Sequence, residues 1–224
     1  MFQERYPTTI KRGLRFMVDE QGRPSGARPW AGELVALIYD WAMSRSVFPR
    51  LFAADQDKHG TILGDALSAV HGQGIVELGT GSGSAADWLP NDNRYVGNDI
   101  SPALLRQARK RFAAAGFENA TFYVAPAADL PFSDGQVDLI LCVLTLNFCG
   151  STEVVLAEVA RLLVFGGRLL CCVPVPERAP AGSTIHGELH PSDELAAICR
   201  RQGLSFQPLD ETNGALLYFW ATRQ

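Results

Sequence analysis

No stretch of the chain approaches the roughly twenty consecutive apolar residues that a membrane helix needs, and the first residues lack the charged-then-apolar pattern of a signal peptide. No membrane span is therefore expected, and a cytoplasmic location is. Cysteine is sparse: Cys142, Cys149, Cys171, Cys172 and Cys199 make an odd set of five without paired metal spacing. That argues against a disulfide framework or a metal cluster and for reduced thiols in the core. Lysine is rare beside arginine, and the net charge is −4. A nucleic-acid partner usually demands a basic face, so none is expected. The exception is local: Arg5, Lys11, Arg12, Arg15, Arg23 and Arg28 make the first thirty residues basic, which reads as a solvated arm rather than a phosphate patch. No internal repeat is present.

What the chain does have is an apolar run ending in an acid and then a glycine-rich turn, Ile75-Val76-Glu77-Leu78-Gly79-Thr80-Gly81-Ser82-Gly83-Ser84. The run reads as a buried parallel strand. The glycines let the backbone bend sharply and approach a ligand, and a helix is expected next, with free N–H groups facing that ligand. The spacing departs from the Gly-x-Gly-x-x-Gly of dinucleotide sites, because Ser84 falls where the third glycine belongs. A nicotinamide-dependent oxidoreductase is thus the least favoured reading.

A second strand, Arg94-Tyr95-Val96-Gly97-Asn98-Asp99-Ile100, also ends in an acid about twenty residues on from Gly79. A carboxylate on a strand end can accept both hydroxyls of a ribose. Ser101 and Pro102 then suit the cap and first position of a helix with Leu104, Leu105, Ala108 and Phe112 on one face. Further strand-like runs at 121–125, 137–143 and 168–173 alternate with helices, the pattern of parallel βαβ units. Helices are also expected from Trp30 to about Ser44, from about His59 to Val70, and from Ser192 to Gln202. Residues 1–28 suggest loops or a short hairpin rather than a packed unit, and His59 reads as a helix-start residue.

From Gly74 onward the chain resembles the class I S-adenosylmethionine-dependent methyltransferases, in particular their small-molecule branch (methyltransferase type 11-like), which includes quinone-biosynthesis enzymes. Val76–Gly83 is similar to the family's first motif and Val96–Ser101 to its second. Leu130-Pro131-Phe132 with Val137–Leu141 is similar to the fourth-strand segment. Leu146-Asn147-Phe148 is similar to the loop after it, and Glu158–Leu163 with Gly166–Leu169 to the helix and turn before the fifth strand. The resemblance implies an α/β, Rossmann-like, doubly wound, seven-stranded and mostly parallel sheet. Its last strand would be antiparallel, with helices on both faces and an N-terminal helical extension. Residues 1–73 would form the arm and a helical lid packed on the same domain, and 74–224 the methyltransferase-like domain.

The same resemblance implies S-adenosylmethionine as cofactor and in-line methyl transfer, without a metal, to an O-, N-, S- or C-nucleophile of a small molecule. Gly79, Thr80, Gly81 and Gly83 would approach the methionine and ribose, and Glu77 would order the turn or meet the ammonium. Asp99, with Ile100 beside it, would take the ribose, while Cys142 and Val143 would sit near the sulfonium. Tyr39 occupies the place of an aromatic covering the cofactor. The family's acidic residue for adenine is replaced by Pro126, which has no side-chain acceptor. That leaves the backbone of Ala127 or Ala128, or else Asp129, to hold the base. On the acceptor side, Asn147 and Phe148 follow the fourth strand, and His186 is the candidate general base because its pKa lies near the working pH. His190, before Pro191, reads as structural. RNA or protein methylation, and a non-methylating S-adenosylmethionine-binding protein, remain alternatives. A homodimer is left open.

Overall fold

The computed structural model describes residues 2–25 and 43–224, with side chains from residue 47 onward in the second stretch. The helix expected from Trp30, Tyr39 within it and Arg28 before it fall outside the described residues. Among the described residues ten strands form one sheet: β1 Thr8–Lys11, β2 Leu14–Val18, β3 Pro24–Ser25, β4 Gly74–Leu78, β5 Arg94–Asp99, β6 Ala120–Val124, β7 Val137–Val143, β8 Leu163–Pro174, β9 Gln207–Pro208 and β10 Leu216–Thr222. Their order is β1-β2-β6-β5-β4-β7-β8-β10-β9, with β3 on β2. The inner strands β6, β5, β4, β7 and β8 are parallel, and β10 runs antiparallel to both β8 and β9.

Among the described residues four α-helices flank the sheet, α1 Gln56–Leu67, α2 Pro102–Ala114, α3 Thr152–Leu162 and α4 Ser192–Arg201, and a π-helix covers Met43–Leu51. Alternation along each strand divides the core in two, because successive side chains point to opposite faces. Val76, Leu78, Ile140 and Cys142 pack with Leu156, Leu162 and Ile198 of α3 and α4. Ile75, Leu139 and Leu141 pack with Leu63, Leu67, Leu105 and Phe112 of α1 and α2. Both faces are therefore covered, and the carboxyl ends of β4, β5 and β7 come level at Leu78, Asn98 and Cys142.

Two expectations change. The sheet has ten strands rather than seven, because the N-terminal arm folds onto its edge. β1 and β2 form a hairpin, and β2 pairs in parallel with β6, Arg15 opposite Tyr123 and Phe16 opposite Val124. Leu14 and Phe16 turn inward and are buried, while Phe2 packs on Phe132 at 5.5 Å between ring centroids. Glu4 accepts from the Tyr123 hydroxyl at 2.7 Å and from Arg15 at 3.2 Å. The arm is thus a packed unit, and its basic composition hid two buried apolar positions. The second change concerns α1, which begins a turn before His59: Asp55 caps it by accepting from the Lys58 N–H at 2.8 Å.

Arg161 locks α3 to the loop before β7. It donates to Glu158 through Nε and Nη2, both at 2.7 Å, to Asp134 at 2.6 Å and to the Phe132 carbonyl at 2.8 Å. Glu158 is 6% exposed and also accepts from the Leu130 N–H at 2.7 Å. Arg161→Met strands that carboxylate, and the expected loss is about 3 kcal/mol, read as a lower denaturant midpoint at unchanged slope.

Candidate functional site

β4 leads into a turn whose glycines Gly79, Gly81 and Gly83 have φ of 68°, 56° and 88°. A Cβ on Gly79 would meet the Thr145 side chain at 2.2 Å, and one on Gly83 would meet the Ala108 Cα at 2.7 Å. The turn is therefore pressed against the loop after β7 on one side and against α2 on the other. The expected helix after it is only a four-residue 3-10 turn, Ser84–Asp87.

The turn is tied to the end of β5. Thr80 donates its N–H to the Asn98 carbonyl at 2.8 Å, and Gly81 donates its N–H to Asp99 Oδ2 at 2.9 Å. The other Asp99 oxygen accepts from the Ser101 N–H at 2.8 Å, and Ser101 in turn caps α2 through the Leu104 N–H at 3.3 Å. One carboxylate thus joins the glycine turn to the first turn of α2. Burial pushes the pKa of Asp99 up, and its backbone hydrogen bonds oppose that shift.

Glu77 is buried at 3% exposure, and the Tyr95 hydroxyl donates to it in a very short contact. The Tyr95 hydroxyl also lies 3.3 Å from Thr80 Oγ1, so carboxylate, phenol and turn form one chain. Burial raises the pKa of Glu77 to about 7; the hydrogen bonds from Tyr95 and Thr80 pull the other way. The sequence reading missed Tyr95. Its signal was there: a tyrosine on β5 two residues before Gly97, the residue opposite Glu77.

A cavity of about 550 Å³ lies over this turn. Of the residues singled out in the sequence, Glu77, Gly79, Thr80, Gly81 and Val143 line it, together with Phe48, His59, Trp88, Leu144 and Thr145. Leu144 holds a left-handed φ of 54°, a strained conformation for a leucine. Asp99, Ile100, Ala127 and Ala128 are half-buried at the carboxyl ends of β5 and β6, beside the exposed Pro126. Asp129 pairs with Arg5 at 2.8 Å. Cys142 is buried, and its hydrogen bond with Cys171, followed by burial, pushes its thiol pKa up. All five thiols are free, and four are buried.

The residues proposed for the acceptor side lie in two loops that are bonded to each other, after β7 and after β8. Asn147 is buried and donates to the His186 carbonyl at 2.8 Å, so it tethers the loop after β8. Phe148 is 65% exposed, and His186 is exposed as well. His190 lies 3.2 Å from both Thr152 Oγ1 and Glu194, consistent with a structural part. None of these four borders the cavity over the glycine turn. His59 does, from inside α1. It shares the buried face of that helix with Ile62, Leu63 and Leu67, a repeat in which its own polar side chain hid its burial.

The strand order, with its crossover between β4 and β7 and its glycine turn at that point, defines a Rossmann-like α/β fold, the kind of sheet whose ligands in general sit outside the strand ends. Residues 76–171 match the family model described as a methyltransferase domain. The chain is 35% identical over 107 residues to a demethylmenaquinone methyltransferase of Tropheryma whipplei, covering 47% of this chain and 44% of the relative. It is 35% identical over 108 residues to a fatty-acid O-methyltransferase of Mycolicibacterium smegmatis, covering 47% and 38%. The match thus spans less than half the length of either curated relative. Among solved structures, a geranyl diphosphate C-methyltransferase of Streptomyces coelicolor, in complex with S-adenosyl-L-homocysteine, superposes with a TM-score of 0.60 at 16% identity over 75% of this chain and 76% of that one. These matches support a methyltransferase domain over residues 76–171, and the solved structure shares its fold.

Proposed function

We propose that this protein transfers a methyl group from S-adenosylmethionine to a small molecule, and that the cavity over the Gly79–Gly83 turn receives both. The observation that carries the reading is the joining of that turn to two acids, Glu77 through Tyr95 and Thr80, and Asp99 through the Gly81 N–H. The donor set fits the cofactor: a turn without Cβ atoms gives access to backbone groups, one buried acid faces the cavity, and a second stands half-buried beside it. The relatives' substrates, a demethylmenaquinone and a fatty acid, support a small apolar acceptor.

S-adenosylmethionine, when bound, supplies an already activated methyl group on its sulfonium. The chain's task is then to align, charge-match and exclude water, and alignment alone can contribute about 7–11 kcal/mol. In this reading the backbone of Gly79, Thr80 and Gly81 meets the methionine end, and Glu77 accepts from its ammonium. Asp99 keeps a second lone pair on each oxygen for the ribose hydroxyls, with Ile100 beside it. The backbone of Ala127 and Ala128 holds the adenine in place of the missing acid. Val143, next to Cys142 in the chain, gives the sulfonium an apolar wall.

A small-molecule acceptor also accords with the arm. Arg5 pairs with Asp129, Arg15 with Glu4 and Arg23 with Asp19, so these cations are matched within the protein rather than offered to a phosphate backbone. Calorimetry with S-adenosylhomocysteine is expected to show one saturable site. Labelled S-adenosylmethionine is expected to pass its methyl to a member of a panel of quinols and long-chain acids. No binding of S-adenosylhomocysteine or S-adenosylmethionine overturns the reading, and binding without transfer across the panel favours a non-methylating binding protein.

A further inference from the structure

The cavity has a second polar feature that the resemblance did not assign. His59 is 3% exposed and lies between two aromatic rings, Phe48 at 5.0 Å and Trp88 at 5.5 Å between centroids, and all three line the cavity. Its Nδ1 is 2.8 Å from the Tyr218 hydroxyl. Among the described residues no group hydrogen-bonds to its Nε2.

The proton positions on this chain follow from its far end. Asn213 accepts at Oδ1 from the Asp55 N–H at 2.8 Å and donates from Nδ2 to the Asp55 carbonyl, also at 2.8 Å. A backbone N–H can only donate and a carbonyl only accept, so the Asn213 amide has one orientation. Its Nδ2 therefore donates to the Tyr218 oxygen as well, at 3.1 Å. That leaves the Tyr218 hydroxyl hydrogen free to be donated. The best acceptor in reach is His59 Nδ1, since the Cys172 sulfur near both groups is a weak one. Burial holds the imidazole pKa down at about 4, so the ring is neutral at ordinary pH. A neutral ring that accepts at Nδ1 carries its hydrogen on Nε2.

We propose that His59, fixed as the Nε2–H tautomer by the Asp55–Asn213–Tyr218 chain, binds the methyl acceptor by donating a hydrogen bond to an oxygen of a planar, apolar molecule seated in the cavity that His59 lines with Phe48 and Trp88. This rests on the methyl-transfer reading for the word acceptor. The donor geometry itself does not depend on it. A neutral donor suits a carbonyl or phenol oxygen. It does not suit an ammonium, which has no lone pair to offer. The acceptor class is thus an aryl ketone, quinone or phenol.

The test uses the full chain, saturated with S-adenosylhomocysteine, and two probes of one shape: 1-acetonaphthone and the oxygen-free 1-ethylnaphthalene. Long-range ¹H–¹⁵N spectra are expected to place the His59 proton on Nε2, with that nitrogen moving on addition of the ketone and not of the hydrocarbon. Wild type is expected to bind the ketone about tenfold tighter than the hydrocarbon, and His59→Phe to lose that preference. Tyr218→Phe, which keeps His59 in place, is expected to let the proton appear on Nδ1. A wild-type proton on Nδ1, or equal affinity for the two probes, overturns the proposal, and the spectra decide it even if the His59 variant does not fold. If S-adenosylhomocysteine fails to bind, the methyl-transfer reading falls, while the tautomer and the ketone preference still decide His59.

Discussion

Gly83→Ala is expected to lower stability by about 2–5 kcal/mol, from a left-handed backbone and a crowded core. Gly166→Ala is expected to cost only about 1–2 kcal/mol from the backbone alone. The two glycines share the conformation, at φ of 88° and 76°, and differ in what a methyl group meets. At Gly166 nothing lies within 4 Å. At Gly83 the Cβ would sit 2.7 Å from the Ala108 Cα and 2.8 Å from its Cβ. Those are atoms of a packed helix rather than the tip of a side chain, so relief requires α2 to move as a body. Because Ser101, which caps α2, is bonded to Asp99, and Asp99 to Gly81, that movement reaches the turn. Gly83→Ala should therefore also weaken S-adenosylhomocysteine binding by at least tenfold, while Gly166→Ala leaves it unchanged. Denaturant titration and calorimetry on the same two variants read both effects. Equal stability loss at the two sites would show that the turn is not held against α2.

The glycine turn was legible because its chemistry is local. Alternate glycines after an apolar run need no distant partner to declare a close backbone approach, and Ser101-Pro102 declares a helix start in the same way. The parallel sheet was legible for a similar reason, since strands covered on both faces read as unbroken apolar runs. The edge hairpin was not. Leu14 and Phe16 are two inward residues in a segment rich in charge and turn formers, and only pairing with β6 gives them a core to enter. Tyr95 and His59 were missed because each takes its role from a residue far along the chain, Glu77 eighteen positions away and Tyr218 one hundred and fifty-nine away. A sequence reveals which residue types can do chemistry. Burial and partners, which assign that chemistry, belong to the fold.

Glu77 is expected to make the protein less stable as pH rises from about 4.5 to about 7. Burial has lifted its pKa from 4.5 to about 7, so between those values the folded chain holds a proton that the unfolded chain has released. Stability falls with pH wherever the folded state binds more protons. The contribution is flat below about 4.5, is lost progressively across the window and is flat again above about 7. Its full size is about 3 kcal/mol. Glu77→Gln keeps an oxygen for the Tyr95 hydroxyl and removes the charge. The variant should match wild type near pH 4.5 and exceed it by up to about 3 kcal/mol at pH 8, in denaturant titrations run in parallel. The same exchange should weaken S-adenosylhomocysteine binding about tenfold or more, because an ammonium loses its charged acceptor. Near pH 6.5 the wild type should also release a proton on binding, as the arriving cation favours the ionised carboxylate. The binding enthalpy would then depend on the ionisation enthalpy of the buffer, and that dependence should vanish in Glu77→Gln. If the variant is no more stable than wild type at pH 8, the carboxylate is not held against its own solvation. If it is more stable yet binds S-adenosylhomocysteine as tightly, the buried charge serves the turn and not the ligand.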